Sequence, residues 1–123
     1  MPRMRDDEQE VLDILEENLA DDEIVGVQYD VIDEFALESK PPTRLLVRGV
    51  LQLMSRSPEA DWGIPGPMVN LLEKSEHHLE ELVRVCRAGN VTATLVLQLQ
   101  RYANVGRAEA LELLERAAAD DDD

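Results

Sequence analysis

Two adjacent histidines, one cysteine, one tryptophan and a surplus of carboxylates are the residues of this chain with a claim to chemistry. His77 and His78 point about 100 degrees apart if helical, so they cannot chelate one metal in the i, i+4 manner. With Glu76, Glu80 and Glu81 beside them they read as the solvated first turn of a helix, where acids also suit the positive end of the dipole. Cys86 follows Leu82 and Val83 on an apolar stripe, where a thiol behaves as a small buried hydrophobe. A nucleophilic cysteine would need a base and a lowered pKa, and helical geometry directs Arg84 and Arg87 elsewhere. Carboxylates are abundant enough to satisfy any two-carboxylate template by chance. Gly63-Ile64-Pro65-Gly66-Pro67 precedes a helix, but it lacks the Gly-Lys-Ser/Thr ending of a phosphate loop and its prolines remove amide donors. No catalytic residue, metal or cofactor is therefore expected, and the chain reads as one that acts by binding another macromolecule.

Trp62 stands alone in the Gly/Pro loop. It either pins that loop to the core through its large apolar area, the favoured reading in so aromatic-poor a chain, or stands out as an interface anchor.

Charge narrows the partner. The 123 residues carry a net −15, unevenly spread. Residues 1–39 hold 14 acids against Arg3 and Arg5, and residues 108–123 hold seven acids against Arg116. Residues 40–58 carry Lys40, Arg44, Arg48 and Arg56 with no acid. Such a field repels phosphate backbones and anionic lipid, so neither nucleic acid nor membrane is an expected partner, whereas a basic protein is drawn to it. The acid excess equally suits the composition of a GC-rich or salt-adapted source. No apolar run approaches the roughly 18 to 20 residues needed to span a bilayer, and the first seven residues lack the apolar stretch of a secretory signal, so a cytoplasmic protein is expected. The single cysteine agrees with a reducing compartment.

The elements that position these residues follow from apolar spacing. Helix 1 is expected over residues 6–19, capped by Asp6 or Asp7, with Val11, Leu12, Ile14, Leu15 and Leu19 inward. In residues 20–39, Ile24, Val25 and Val27 allow a short strand, while Val31, Ile32, Phe35 and Ala36 favour a helix from about 27 to 38. After Lys40-Pro41-Pro42 a third helix turns Leu45, Leu46, Gly49, Val50, Leu53 and Met54 inward and leaves Arg44 and Arg48 on its outer side. Helix 4 runs from Pro67 to near Lys74, and helix 5 from a Ser75 cap to Gly89. Helix 6, capped by Asn90 or Thr92, carries Leu95, Val96, Leu99 and Tyr102, and helix 7 covers about 107–118. The expected fold is all-α: six to seven short helices as stacked antiparallel pairs, HEAT-like or α-solenoid-like, in one domain over residues 1–119 with a disordered acidic tail at 120–123.

Residues 63–75 (Gly-Ile-Pro-Gly-Pro-Met-Val-Asn-Leu-Leu-Glu-Lys-Ser) put a Gly/Pro turn before an apolar helix ending in Glu-Lys. Residues 78–82 (His-Leu-Glu-Glu-Leu) open a Leu/Glu helix, and residues 92–104 form a Thr-led helix closing in an Asn-containing turn. In this pattern the chain resembles small HEAT-like helical bacterial immunity proteins, which are encoded beside polymorphic or contact-dependent toxins and neutralise the toxin by binding it. The resemblance covers about residues 60–116; Asn90-Val91 stands where the pattern has a Lys/Pro pair, and residues 1–40 lie outside it. It implies a basic toxin domain as partner and no catalytic residue.

Where such toxins are nucleases with basic clefts, the acidic N-terminal third is the expected contact: Asp21, Asp22, Glu23, Asp30, Asp33 and Glu34, with Tyr29 as aromatic anchor. A solvated helix face is the plain alternative for the same residues. The rival function is a structural or adaptor subunit whose strip of Lys40, Arg44, Arg48 and Arg56 docks on an acidic face of its own copies or of another protein.

Overall fold

The computed structural model describes residues 4–20, 22–40, 42–63, 66–89 and 91–121. Among these the chain is all-helical, with seven helices and no strand: α1 (Asp6–Glu17), α2 (Ile24–Glu34), α3 (Arg44–Arg56), α4 (Pro67–Leu72), α5 (His78–Ala88), α6 (Ala93–Asn104) and α7 (Ala108–Asp121).

Contacts between named residues give the packing. Glu8 near the start of α1 bonds Thr43 at the start of α3, with its carboxylate accepting from the Thr43 N–H at 3.1 Å and the hydroxyl at 2.8 Å. Midway, Leu12 lies against Gly49, where a Cβ would sit 2.6 Å from a Leu12 methyl, so a larger residue there would have to displace the leucine side chain. At the far ends Glu16 meets Arg56 at 3.7 Å. Starts thus meet starts and ends meet ends, and α1 runs parallel to α3. The same holds for α3 and α5: Arg44 bonds Glu80 near both starts, and Ser55 abuts Gly89 near both ends. α5 in turn packs on α7, so the odd-numbered helices form one row. Parallel neighbours two apart in sequence require the helices between them to run back, which is how stacked helix pairs are built. α2 packs on α1 and α4, and α6 packs most extensively on α7 and also touches α3 and α5.

The core is aliphatic, as an aromatic-poor sequence requires. Val11, Leu15, Val47, Val50, Leu51, Met54, Met68, Leu72, Leu82, Leu95 and Leu99 are all fully enclosed. Trp62 joins them at 1% exposure, so the tryptophan pins its loop. Gln28 holds the same loop from α2, its amide donating to the Asp61 carbonyl at 3.0 Å.

Several boundaries differ from those read in the sequence. Helix 1 is capped by Arg5, with Asp6 already helical, and it ends at Glu17 rather than 19. The segment expected as a helix over 27–38, with a possible strand before it, is instead helical over Ile24–Glu34. Ile24, Gln28 and Val31 share the buried face, and including Ile24 adds a fully buried residue to the helix. Ala36, at φ 51°, ends it in the left-handed conformation, with Leu37 N–H returning to the Ile32 carbonyl and Ala36 N–H to that of Asp33. α4 stops at Leu72, and α5 starts at His78 although Ser75 Oγ accepts from His77 N–H. Thr92 caps α6 by position, but its hydroxyl donates to the Met54 carbonyl on α3. α7 continues to Asp121, beyond the expected 118 and into the terminal aspartates, while Asp122 and Asp123 lie outside the described residues.

Candidate partner-binding face

α2 lies on the outside of the stack, and its buried stripe of Ile24, Gln28, Val31 and Ile32 leaves the opposite side to solvent. That side carries the residues expected to bind. Tyr29, Asp30, Asp33 and Glu34 are exposed, as are Asp22 and Glu23 just before the helix; Asp21 lies outside the described residues. Tyr29 is 58% exposed, one turn from Asp33. Asp30, Asp33 and Glu34 fall at i, i+3 and i+4, so their carboxylates share one surface. The side chains of Asp22, Asp30, Asp33 and Glu34 enter no hydrogen bond or ion pair among the described residues. α1, packed against α2, adds exposed Glu10, Asp13, Glu16 and Glu17, of which Asp13 accepts from Gln9 and Glu16 meets Arg56.

The basic strip is placed differently from the expectation. Arg44 and Arg48 do not stand on an outer side of α3; they face α5. Arg48 grips Glu81 through Nε and Nη2, both at 2.9 Å. Arg44 donates to Glu80 at 2.7 Å, to Glu81 at 3.3 Å and to His77 Nδ1 at 3.1 Å. Arg84 adds a fourth contact, Nε to Glu81 at 3.4 Å. The hydrogen bond from Arg48 holds the Glu81 carboxyl below its ordinary range against the opposing effect of burial.

Residues 76–81 are correspondingly not a solvated turn, because the side chains of both His78 and Glu81 are buried. Gln98 donates from its amide nitrogen to the Thr94 carbonyl and Met54 Sδ, so its oxygen faces His78 Nε2 at 2.8 Å. His78 Nε2–H therefore donates, and Nδ1 accepts from the Tyr102 hydroxyl at 2.8 Å. Burial, first among the causes, pushes the imidazole pKa down, so the ring is neutral. Both ring nitrogens are thereby committed to protein partners. Cys86 is buried and desolvation pushes its thiol up to about 11, which keeps it protonated at neutral pH.

Two carboxylates are thus structural: Glu81, which sequence reasoning placed on a solvated turn, and Glu8 at the start of α1. Glu8 accepts the Arg5 N–H at 3.0 Å, returning from the third helical position to the cap, while also bonding Thr43, whose own hydroxyl accepts from Leu46 N–H, so one carboxylate ties two helix starts together. Its signal was its third position in the helix. That of the Arg44, Arg48 and Glu81 cluster was an i, i+4 arginine pair beside a glutamate pair one helix hairpin later. No helix among the described residues is long and apolar enough to cross a membrane. Comparison of the chain with protein-family models, with curated proteins and with solved structures finds no match.

Proposed function

We propose that this chain is a non-enzymatic acidic binding protein, an immunity protein of the cytoplasm that neutralises a basic toxin domain, such as a nuclease with a basic cleft, through direct contact and without a cofactor. The observation that carries this reading is the outward side of α2, where Asp30, Asp33 and Glu34 share the helix with exposed Tyr29, Asp22 precedes it, and none of the four acids is used within the fold. Acids engaged internally, such as Glu8 and Glu81, are buried and saturated, so the molecule separates carboxylates that build it from carboxylates free for another protein. A face of one sign steers an oppositely charged partner and raises association rates by about 10 to 1,000-fold, and an exposed tyrosine inside it supplies the apolar contact that charge alone lacks. The HEAT-like stack serves here as a rigid mount for that face.

The rival adaptor reading has less support, because Arg44 and Arg48 of its basic strip are bonded to Glu80 and Glu81. The test is the association rate of the native complex as a function of salt. Reversing charge at Asp30, Asp33 and Glu34 slows association and flattens its salt dependence, while helicity by circular dichroism is unchanged. An unchanged rate removes α2 from the interface.

A further inference from the structure

Between α2 and α4 lies a cleft of about 130 Å³ whose lining includes Tyr29, Ile32, Asp33, Glu38, Leu71 and Lys74. Ile32 and Leu71 are buried and form an apolar lining, while Tyr29, Asp33, Glu38 and Lys74 are exposed. We infer that this cleft receives a single arginine side chain of the basic partner protein, an inference that rests on the binding face proposed above and gives it an anchor point.

The chemistry of the lining selects that occupant. An apolar cavity of about 150 Å³ holds one benzene, so a space of this size takes one side chain and no folded segment. An acidic peptide or a phosphate would meet Asp33 and Glu38, backed by the other α2 carboxylates, and be repelled. A purely apolar side chain would cover both carboxylates without pairing them. An arginine satisfies all parts at once. Its methylene stem lies along Ile32 and Leu71, its guanidinium face stacks on the Tyr29 ring, and its forked donors reach the two carboxylates. Lysine offers the charge without the planar fork or the stacking surface, so it fits less well. Lys74 supplies the one opposing charge in the lining, and it forms no ion pair among the described residues.

The test titrates the full chain with N-acetyl-arginine amide, followed residue by residue in ¹H–¹⁵N spectra. Saturable shifts are expected at Tyr29, Asp33, Glu38, Leu71 and Lys74, with weaker binding of N-acetyl-lysine amide. Asp33→Asn and Glu38→Gln each weaken the arginine compound by about two- to fivefold, and Tyr29→Leu does so by a similar factor. Lys74→Gln strengthens it, a gain that a merely structural role for the cleft would not produce. Glu112→Gln, an exposed position on α7 away from both the cleft and the α2 face, leaves it unchanged.

A response spread evenly over the acids of α1 and α7, no response at the cleft, or equal weakening by Glu112→Gln and Asp33→Asn overturns the inference. Failure of the cleft is separable from failure of the face. A native partner still lost on charge reversal at Asp30, Asp33 and Glu34, but retained by the Tyr29→Leu/Glu38→Gln double variant, keeps the face and sinks the arginine anchor.

Discussion

Acidification should destabilise this protein through one residue, His78, at pH values where its carboxylates are still ionised. The imidazole is buried and neutral, bonded at Nε2 to Gln98 and at Nδ1 to Tyr102, and its pKa in the fold lies below the ordinary 6.5. The charged groups that act on it are Glu73, which favours protonation, and Arg101, which opposes it; they pair with each other at 2.7 Å. Because the unfolded chain takes up the proton more readily, the contribution is fully present above the unfolded pKa and is lost as pH falls below 6.5 toward the folded value. The loss is bounded by the unfolded titration alone, at about 0.4 kcal/mol at pH 6.5 and about 1.4 kcal/mol at pH 5.5. Glu80, Glu81 and Glu109 are shifted down from 4.5, so their contributions disappear only at lower pH and leave this window to the histidine. Urea unfolding followed by the single tryptophan measures the difference between pH 7.5 and 5.5. His78→Gln is the comparison, since its amide can donate to Gln98 and accept from Tyr102 without titrating; it lowers stability at pH 7.5 by about 1 to 2 kcal/mol. Its profile between the two pH values should be flatter than that of the parent, by no more than about 1.4 kcal/mol. Identical slopes in parent and variant would refute the reasoning.

Other perturbations probe the remaining links. Glu81→Gln leaves Arg44, Arg48 and Arg84 without their shared carboxylate and should cost about 2 to 4 kcal/mol in chemical denaturation, whereas Glu80→Gln, at an exposed and solvent-screened site, should cost far less. Ala36→Gly should raise stability by about 1 kcal/mol, because an alanine occupies the left-handed position that ends α2, and Gly106→Ala at φ 87° should lower it by a similar amount. Trp62→Ala should cost about 3 to 5 kcal/mol, while Trp62→Phe should cost about 1 to 2 kcal/mol, since the buried indole Nε1 has no hydrogen-bond partner that its removal would orphan. Thermal and urea unfolding of each pair decides these.

The helical class and the existence of nearly every helix were legible because Leu, Val and Ile recur at helical spacing and Pro or Gly punctuates the chain. What escaped was decided between helices. The start of α2 was hidden because Gln28, a polar residue, occupies a buried position and breaks the apolar stripe, and only its bond to the Asp61 carbonyl explains why it can. Arg44 and Arg48 read as a surface strip because their partners lie more than thirty residues away, and the parallel setting of α3 beside α5 is a tertiary fact. His78 looked solvated for the same reason, its partners being Gln98 and Tyr102 on α6. The candidate face was easier to read. Its acids needed only a helix that turns them outward, and Tyr29 follows them there, whereas the cleft beside it depends on α4 and is invisible in α2 alone.

The most direct test of the binding proposal is co-purification of the tagged chain from its native host at moderate salt, beside a variant carrying Asp30→Lys, Asp33→Lys and Glu34→Lys. The account predicts one basic protein at equal stoichiometry with the parent and its loss with the variant. The same protein held equally by both, or recovery of the chain with only its own copies, would contradict it.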